Sequence, residues 1–111
     1  MHEFSLTCSI VEMVEQAAGQ RRVRRVTLEV GELAGVLTEA IAFCFDEVAK
    51  GTSVEGAELE IRRVAAFARC ADCGEAFATP ALYTPCPCGS LNLTRLRGED
   101  LKIKSVELEA A

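Results

Sequence analysis

The sequence predicts an α+β protein: a small antiparallel or mixed three-stranded sheet packed by two helices, with a cysteine-rich, zinc-ribbon-like module inserted before the last strand. Three observations predict it. Two segments carry apolar residues at helical spacing, three carry them in alternation, and four cysteines in two close pairs fall between the second and third alternating segments.

Leu6, Ile10, Met13, Val14 and Ala17 recur at helical spacing and Gly19 follows as a cap, so residues 5–18 read as an amphipathic helix. Met1 to Glu3 then project just ahead of its first turn. The basic run Arg21, Arg22, Arg24, Arg25 reads as a solvated loop and strand face rather than a partner contact. Val26, Leu28 and Val30 alternate with Thr27 and Glu29, giving a half-buried strand that ends at Gly31. Thr38 is a suitable N-cap for a second helix, whose stripe of Ile41, Cys44, Phe45 and Val48 runs to Gly51. A second strand is expected from about Ala57 to Ala66. Its apolar phase slips across Arg62-Arg63, and the final strand (Leu101, Ile103, then Val106, Leu108) slips across Lys104-Ser105. Such a slip marks a β-bulge or strong twist. Matching slips suggest that these two strands are antiparallel neighbours, with the intervening stretch as an insertion.

With 111 residues, half of them apolar, the chain has room for one domain and a small module. A core of this size is modest, and a metal staple would help it. The net charge of −5 argues against a general nucleic-acid binder, which needs basic residues to displace phosphate counterions. No run approaches the roughly 18 apolar residues of a membrane span. The N-terminus carries Glu3 and lacks a basic segment before an apolar run, so no secretory signal is read. The expected compartment is the cytoplasm, where six cysteines point to metal rather than disulfides.

Residues 67–96 contain Cys70-Ala71-Asp72-Cys73-Gly74 and, after twelve intervening residues, Cys86-Pro87-Cys88-Gly89. Two close cysteine pairs across a short loop are the pattern of a tetrahedral thiolate site, in which each pair forms a knuckle whose backbone N–H groups bond the sulfurs. Phe67, Phe77, Leu82 and Tyr83 are the main large apolar residues there, so the module depends on its ion for folding. A closed all-thiolate site is structural rather than catalytic. Cys8 and Cys44 lie on predicted helices among apolar residues and read as small hydrophobes.

His2 is the only histidine. Lone histidines near a terminus are ordinarily frayed surface residues. Here the Met1 amine, the His2 backbone nitrogen and the imidazole would close fused chelate rings around one ion, and nitrogen donors suit nickel, copper and zinc. Met1 is expected to be retained, because the enzymes that trim it need a small second residue.

Met1-His2-Glu3-Phe4-Ser5-Leu6, the Val30-Gly31-Glu32-Leu33 turn, the Ile41-Ala42-Phe43-Cys44-Phe45-Asp46 helix and the paired cysteines occur in that order. Together they resemble the HypA/HybF family of hydrogenase nickel-incorporation proteins over the whole chain. The resemblance implies a nickel metallochaperone that is not an enzyme. By that resemblance nickel, as Ni(II) in transit, would be held by Met1 and His2 with Glu3 alongside, and structural Zn(II) by Cys70, Cys73, Cys86 and Cys88. It implies a nickel-binding domain of residues 1–66 completed by 97–111, and a zinc module of 67–96. The implied partners are the nickel-handling GTPase HypB and the hydrogenase large subunit, with neither nucleic acid nor membrane. The family's second knuckle is usually CPxCGS, whereas here Pro87 alone separates Cys86 from Cys88. Both are kept as ligands, with a three-thiolate site completed by water as the alternative.

Histidine at position 2 grips at three points and leaves the rest of the plane to Glu3 or the second amide. That should hold nickel more loosely than histidine at position 3, which suits delivery. No Gly-rich phosphate loop ending in Lys-Ser/Thr is present, so nucleotide energy must come from a partner. Two other readings remain: a rubredoxin-like iron electron carrier, which would be red, and a zinc-ribbon interaction module, against which the acidic charge weighs.

Overall fold

The computed structural model describes His2–Ala110. Its elements run α1 (His2–Ala18), β1 (Val23–Gly31), α2 (Thr38–Ala49), β2 (Glu58–Val64), β3 (Phe67–Cys70), β4 (Ala76–Ala78), β5 (Leu93–Arg97) and β6 (Leu101–Leu108). The strands form two three-stranded sheets, ordered β2-β1-β6 and β4-β3-β5.

α1 starts at His2, three residues before the expected Ser5. Glu3 supplies an acidic side chain in the first turn, where the helix dipole favours negative charge. The Thr7 hydroxyl also donates to the Glu3 carbonyl at 2.6 Å. The buried face is Thr7, Ile10, Val11, Val14 and Ala18. It is rotated from the expected stripe: Met13 is 53% exposed and Ala17 faces solvent. Gly19, at φ 66°, returns its N–H to the Glu15 carbonyl and ends the helix as a left-handed cap.

In α2 the N-cap is Leu37, not Thr38, which is the first helical residue; no side chain caps this helix. Ile41, Phe45 and Ala49 are buried, while Cys44 and Val48 are half-buried. α1 packs on α2.

β1 begins at Val23, earlier than expected, and Val26, Thr27 and Leu28 are all buried. Consecutive side chains point to opposite faces, so β1 is covered on both faces at its centre, and as the middle strand it is also paired along both edges. The Glu109 N–H bonds the Arg22 carbonyl and the Gly31 N–H bonds the Asp100 carbonyl, so β6 runs antiparallel to β1. Arg25 pairs with Glu58 at 3.1 Å and the Glu32 N–H bonds the Val64 carbonyl, so β2 runs parallel to it. The sheet is mixed. β2 and β6 are not neighbours, contrary to the inference from their matching slips; each flanks β1 instead. The slips themselves are visible as exposed pairs, Arg62-Arg63 and Lys104-Ser105, between half-buried residues.

The chain forms two compact units. One comprises the residues up to Leu28, Leu37–Arg62 and those from Lys102 on. Its core is Ile10, Val14, Val26, Leu28, Ile41, Phe45 and Val54, each at most 2% exposed. Burying a side chain of this kind contributes about 1.5–3 kcal/mol, so this unit has a conventional apolar core.

The other comprises Glu29–Val36 and Arg63–Leu101. In it, Gly31 and Gly98 cross at a distance no side chain permits. A Cβ on Gly31 would lie 2.1 Å from the Gly98 carbonyl oxygen, and one on Gly98 would lie 2.3 Å from the Ala66 Cα. The Leu33 N–H donates to that same Gly98 carbonyl at 2.8 Å. Gly98→Ala therefore forces backbone to move and strains a φ of 97°. It is expected to cost at least about 3 kcal/mol, read as a lower urea midpoint. A loss under about 1 kcal/mol would mean the crossing relaxes easily.

Candidate metal centres

The second sheet holds the paired cysteines. β3 pairs antiparallel with β4 and with β5, with a register shift at Phe67/Ala68. Cys70 ends β3, and the chain turns at once to start β4. The Arg97 guanidinium covers the Phe67 ring at 4.2 Å. Leu82, Tyr83, Leu91 and Leu96 are 53%, 86%, 68% and 46% exposed, so four of the module's seven large apolar residues contribute little to a core. Within 67–96 the buried side chains are Ala68, Cys70, Thr79 and Cys86.

The two knuckles have the same backbone closure, one of them shortened by a residue. In the first, the Gly74 N–H bonds the Cys70 carbonyl and the Cys70 N–H bonds the Glu75 carbonyl. In the second, the Gly89 N–H bonds the Cys86 carbonyl and the Cys86 N–H bonds the Ser90 carbonyl. Gly74 and Gly89 both adopt positive φ, 81° and 94°, which glycine permits. The missing residue is thus absorbed within the turn, and the glycine exit is retained.

The Sγ atoms of Cys70, Cys73, Cys86 and Cys88 all lie within 4.8 Å of one another. Cys70 and Cys88 are 3.7 Å apart, and Cys73 and Cys86 3.5 Å apart. A regular tetrahedron with zinc–sulfur arms of 2.3 Å has edges of about 3.8 Å. The cluster therefore fits one tetrahedral ion such as zinc, and all four sulfurs are placed to take part. Cys70 and Cys86 are buried, Cys73 and Cys88 exposed.

Backbone N–H groups point at the sulfurs. The Cys73 N–H brings the Cys70 thiol down to about 6, aided by the Asp72 N–H and neighbouring sulfurs and opposed by burial. At Cys86 the Cys88 N–H, 3.5 Å from Sγ, favours the thiolate. Burial and the Cys73, Cys88 and Cys70 sulfurs outweigh it and push Cys86 up to about 12. Cys73 also ends above its ordinary value: the Glu75 N–H and the Cys86 sulfur favour its thiolate, but burial and the Cys70 and Cys88 sulfurs prevail. Without a cation the cluster cannot hold its charges together.

His2 and Glu3 open α1. Met1 lies outside the described residues. His2 is exposed and Glu3 half-buried. The Glu3 carboxylate accepts the Leu37 N–H at 3.3 Å. That bond and the Glu3 N–H hold its carboxyl below the usual carboxylate range. The first four N–H groups of a helix have no intrahelical acceptor, so the His2 and Glu3 amides are not committed to the helix ladder. Cys8 and Cys44 are half-buried free thiols on α1 and α2. Spacing did not reveal the Asp72–Ser90 hydrogen bond, although Ser90 directly follows the knuckle glycine, nor the engagement of Glu3 by Leu37.

An α+β chain whose four cysteine sulfurs are spaced for one tetrahedral ion has the make-up of a small metal-binding protein. Comparison with known proteins narrows the class. A family model described as "Hydrogenase/urease nickel incorporation, metallochaperone, hypA" matches residues 1–108. The chain belongs to the HypA family of nickel-incorporation metallochaperones that serve hydrogenase maturation. It is 49% identical to the hydrogenase maturation factor HypA of Geotalea uraniireducens, over 98% of this chain and 100% of the relative. It is 44% identical to that of a Nostoc species, over 98% and 96%. The solution structure of the nickel metallochaperone HypA from Helicobacter pylori superposes with a TM-score of 0.70 at 26% identity, covering 98% of both chains. Another HypA solution structure gives 0.74 at 26% identity, over 100% of this chain and 98% of the other.

Proposed function

We propose that this chain is a cytoplasmic, non-enzymatic nickel carrier that binds Ni(II) at its amino terminus and passes it to the [NiFe]-hydrogenase large subunit with the help of the GTPase HypB. Residues 1–66 with 97–111 handle nickel, and 67–96 form a structural zinc module. Family membership over residues 1–108 carries this reading. Met1, His2 and Glu3 supply the nickel donors. The amine, the imidazole and first-turn amides free of helix bonding can be given to a metal without unwinding α1. Glu3 also accepts the Leu37 N–H, and its carboxylate keeps lone pairs for a metal, so nickel held there would sit beside the entry of α2. Among the described residues no helix is long and apolar enough to cross a membrane.

Cys70, Cys73, Cys86 and Cys88 bind zinc. The sign of its pH dependence follows from the thiols. At pH 7 Cys70 is already ionised, while Cys73 and Cys86 are held protonated. Zinc must expel at least those two protons, so affinity rises with pH. The expected slope is at least about 100-fold per pH unit, steepening below about 6, where Cys70 protonates as well. Chelator competition between pH 6 and 8 measures it; a flat profile would contradict the thiolate assignment.

Function is tested in a strain lacking its own carrier. The chain should restore hydrogenase activity at limiting nickel, and His2→Ala should not. Full activity of His2→Ala at limiting nickel would overturn the proposal.

A further inference from the structure

The two knuckles are joined by more than the cluster. The Ser90 hydroxyl donates to Asp72 Oδ2 at 2.5 Å and accepts the Asn92 N–H at 3.0 Å. The Asn92 carbonyl in turn accepts the Ala71 N–H at 2.9 Å. Asp72 lies inside the first knuckle, and its own N–H points at Cys70 Sγ. Ser90 closes the second knuckle, its carbonyl accepting the Cys86 N–H. The result is a ring of hydrogen bonds from one thiolate pair to the other that does not pass through the ion.

We propose that Asp72 and Ser90 form a latch that sets the rate at which metal leaves the four-thiolate cluster. The inference rests on the reading of that cluster as a zinc site. Losing an ion from a closed tetrahedral site requires a thiolate to swing away. Where the ion alone joins two turns, the first dissociation lets them separate. With the latch closed, the freed sulfur stays within reach and recaptures the ion before a second bond breaks. The second knuckle has the greater need of it. Pro87 supplies no N–H, and Cys86 Sγ receives the Cys88 N–H, whereas Cys70 Sγ receives those of both Cys73 and Asp72.

Ser90 separates this from a simple electrostatic role. A carboxylate beside the cluster also attracts the cation by charge alone, so Asp72→Ala would speed release even without a latch, whereas Ser90→Ala keeps that charge and removes only the hydroxyl. The latch instead needs an acceptor at residue 72 and a hydroxyl at residue 90, charged or not.

The test is zinc release from the full chain into excess chelator, followed by the absorbance of the chelate. Asp72→Ala and Ser90→Ala should each release zinc about tenfold faster, as expected for a lost charge-assisted hydrogen bond. The double variant should be no faster than Ser90→Ala alone, since that change already removes the bond to Asp72 along with the one from Asn92. Ser90→Thr, which keeps the hydroxyl, should stay within about twofold of the wild type, and Asp72→Asn, which keeps the acceptor without its charge, should fall between the wild type and Asp72→Ala. Single alanine variants that match the wild type, or a double variant whose effect is the product of the two, would overturn the latch while leaving the zinc site intact. Wild-type protein without thiolate-bound zinc would overturn the zinc reading and the latch together.

Discussion

Acetylating the Met1 amine should abolish high-affinity nickel binding, and His2→Ala should do the same. Both remove a donor from one set of fused chelate rings. Losing even an outer-shell partner of a metal costs about 10–100-fold in affinity, so losing a donor should cost at least about 100-fold. Lengthening the terminus gives a sharper contrast. Two added residues move the amine out of the chelate and should weaken binding as acetylation does. One added residue places the histidine third, where amine, two amides and imidazole close around nickel in a plane. That variant should hold nickel more tightly, with the visible absorption of square-planar nickel, and should release it poorly. Titration against a competing chelator ranks the four altered proteins against the wild type. Unchanged affinity in the acetylated chain would show that the amine is not a donor.

Replacing Cys73 by serine should empty the cluster and unfold residues 67–96 while the helices survive. The buried side chains of that stretch, Ala68, Cys70, Thr79 and Cys86, include no large aliphatic one. Structural zinc contributes about 10–16 kcal/mol of apparent folding free energy in small peptides, far beyond what one buried alanine and one buried threonine provide. The first unit, with Ile10, Leu28, Ile41 and Phe45 at its core, has no such dependence. Far-UV circular dichroism should keep its helical signal, while amide exchange in 67–96 becomes fast. Slow exchange there in the zinc-free variant would show that the module folds without its ion.

Much of this was legible in the sequence because it is local. Helix periodicity, strand alternation and close cysteine pairs are set over a few residues, and the cluster forms from the four cysteines their spacing singled out. The failures involve distant partners. The stripe of α1 was misphased because Leu6, Met13 and Ala17 are as apolar as Val11 and Ala18, and only tertiary packing decides that the latter two are buried beside Ile10 and Val14. β2 and β6 share a phase slip without being neighbours, because both answer to β1 between them. The closeness of Gly31 to Gly98 is a meeting of residues far apart in the chain, which a one-dimensional pattern does not carry. Leu37 as N-cap broke the usual preference for a polar residue, its own N–H being taken by Glu3 instead.

The central claim is two metals in two chemically distinct sites of one chain. X-ray absorption at the nickel and zinc edges of the same untagged sample tests it most directly. Zinc should show four sulfur neighbours at about 2.3 Å, and nickel only nitrogen and oxygen. Sulfur bound to nickel, or a lighter atom completing a three-sulfur zinc site, would contradict the account.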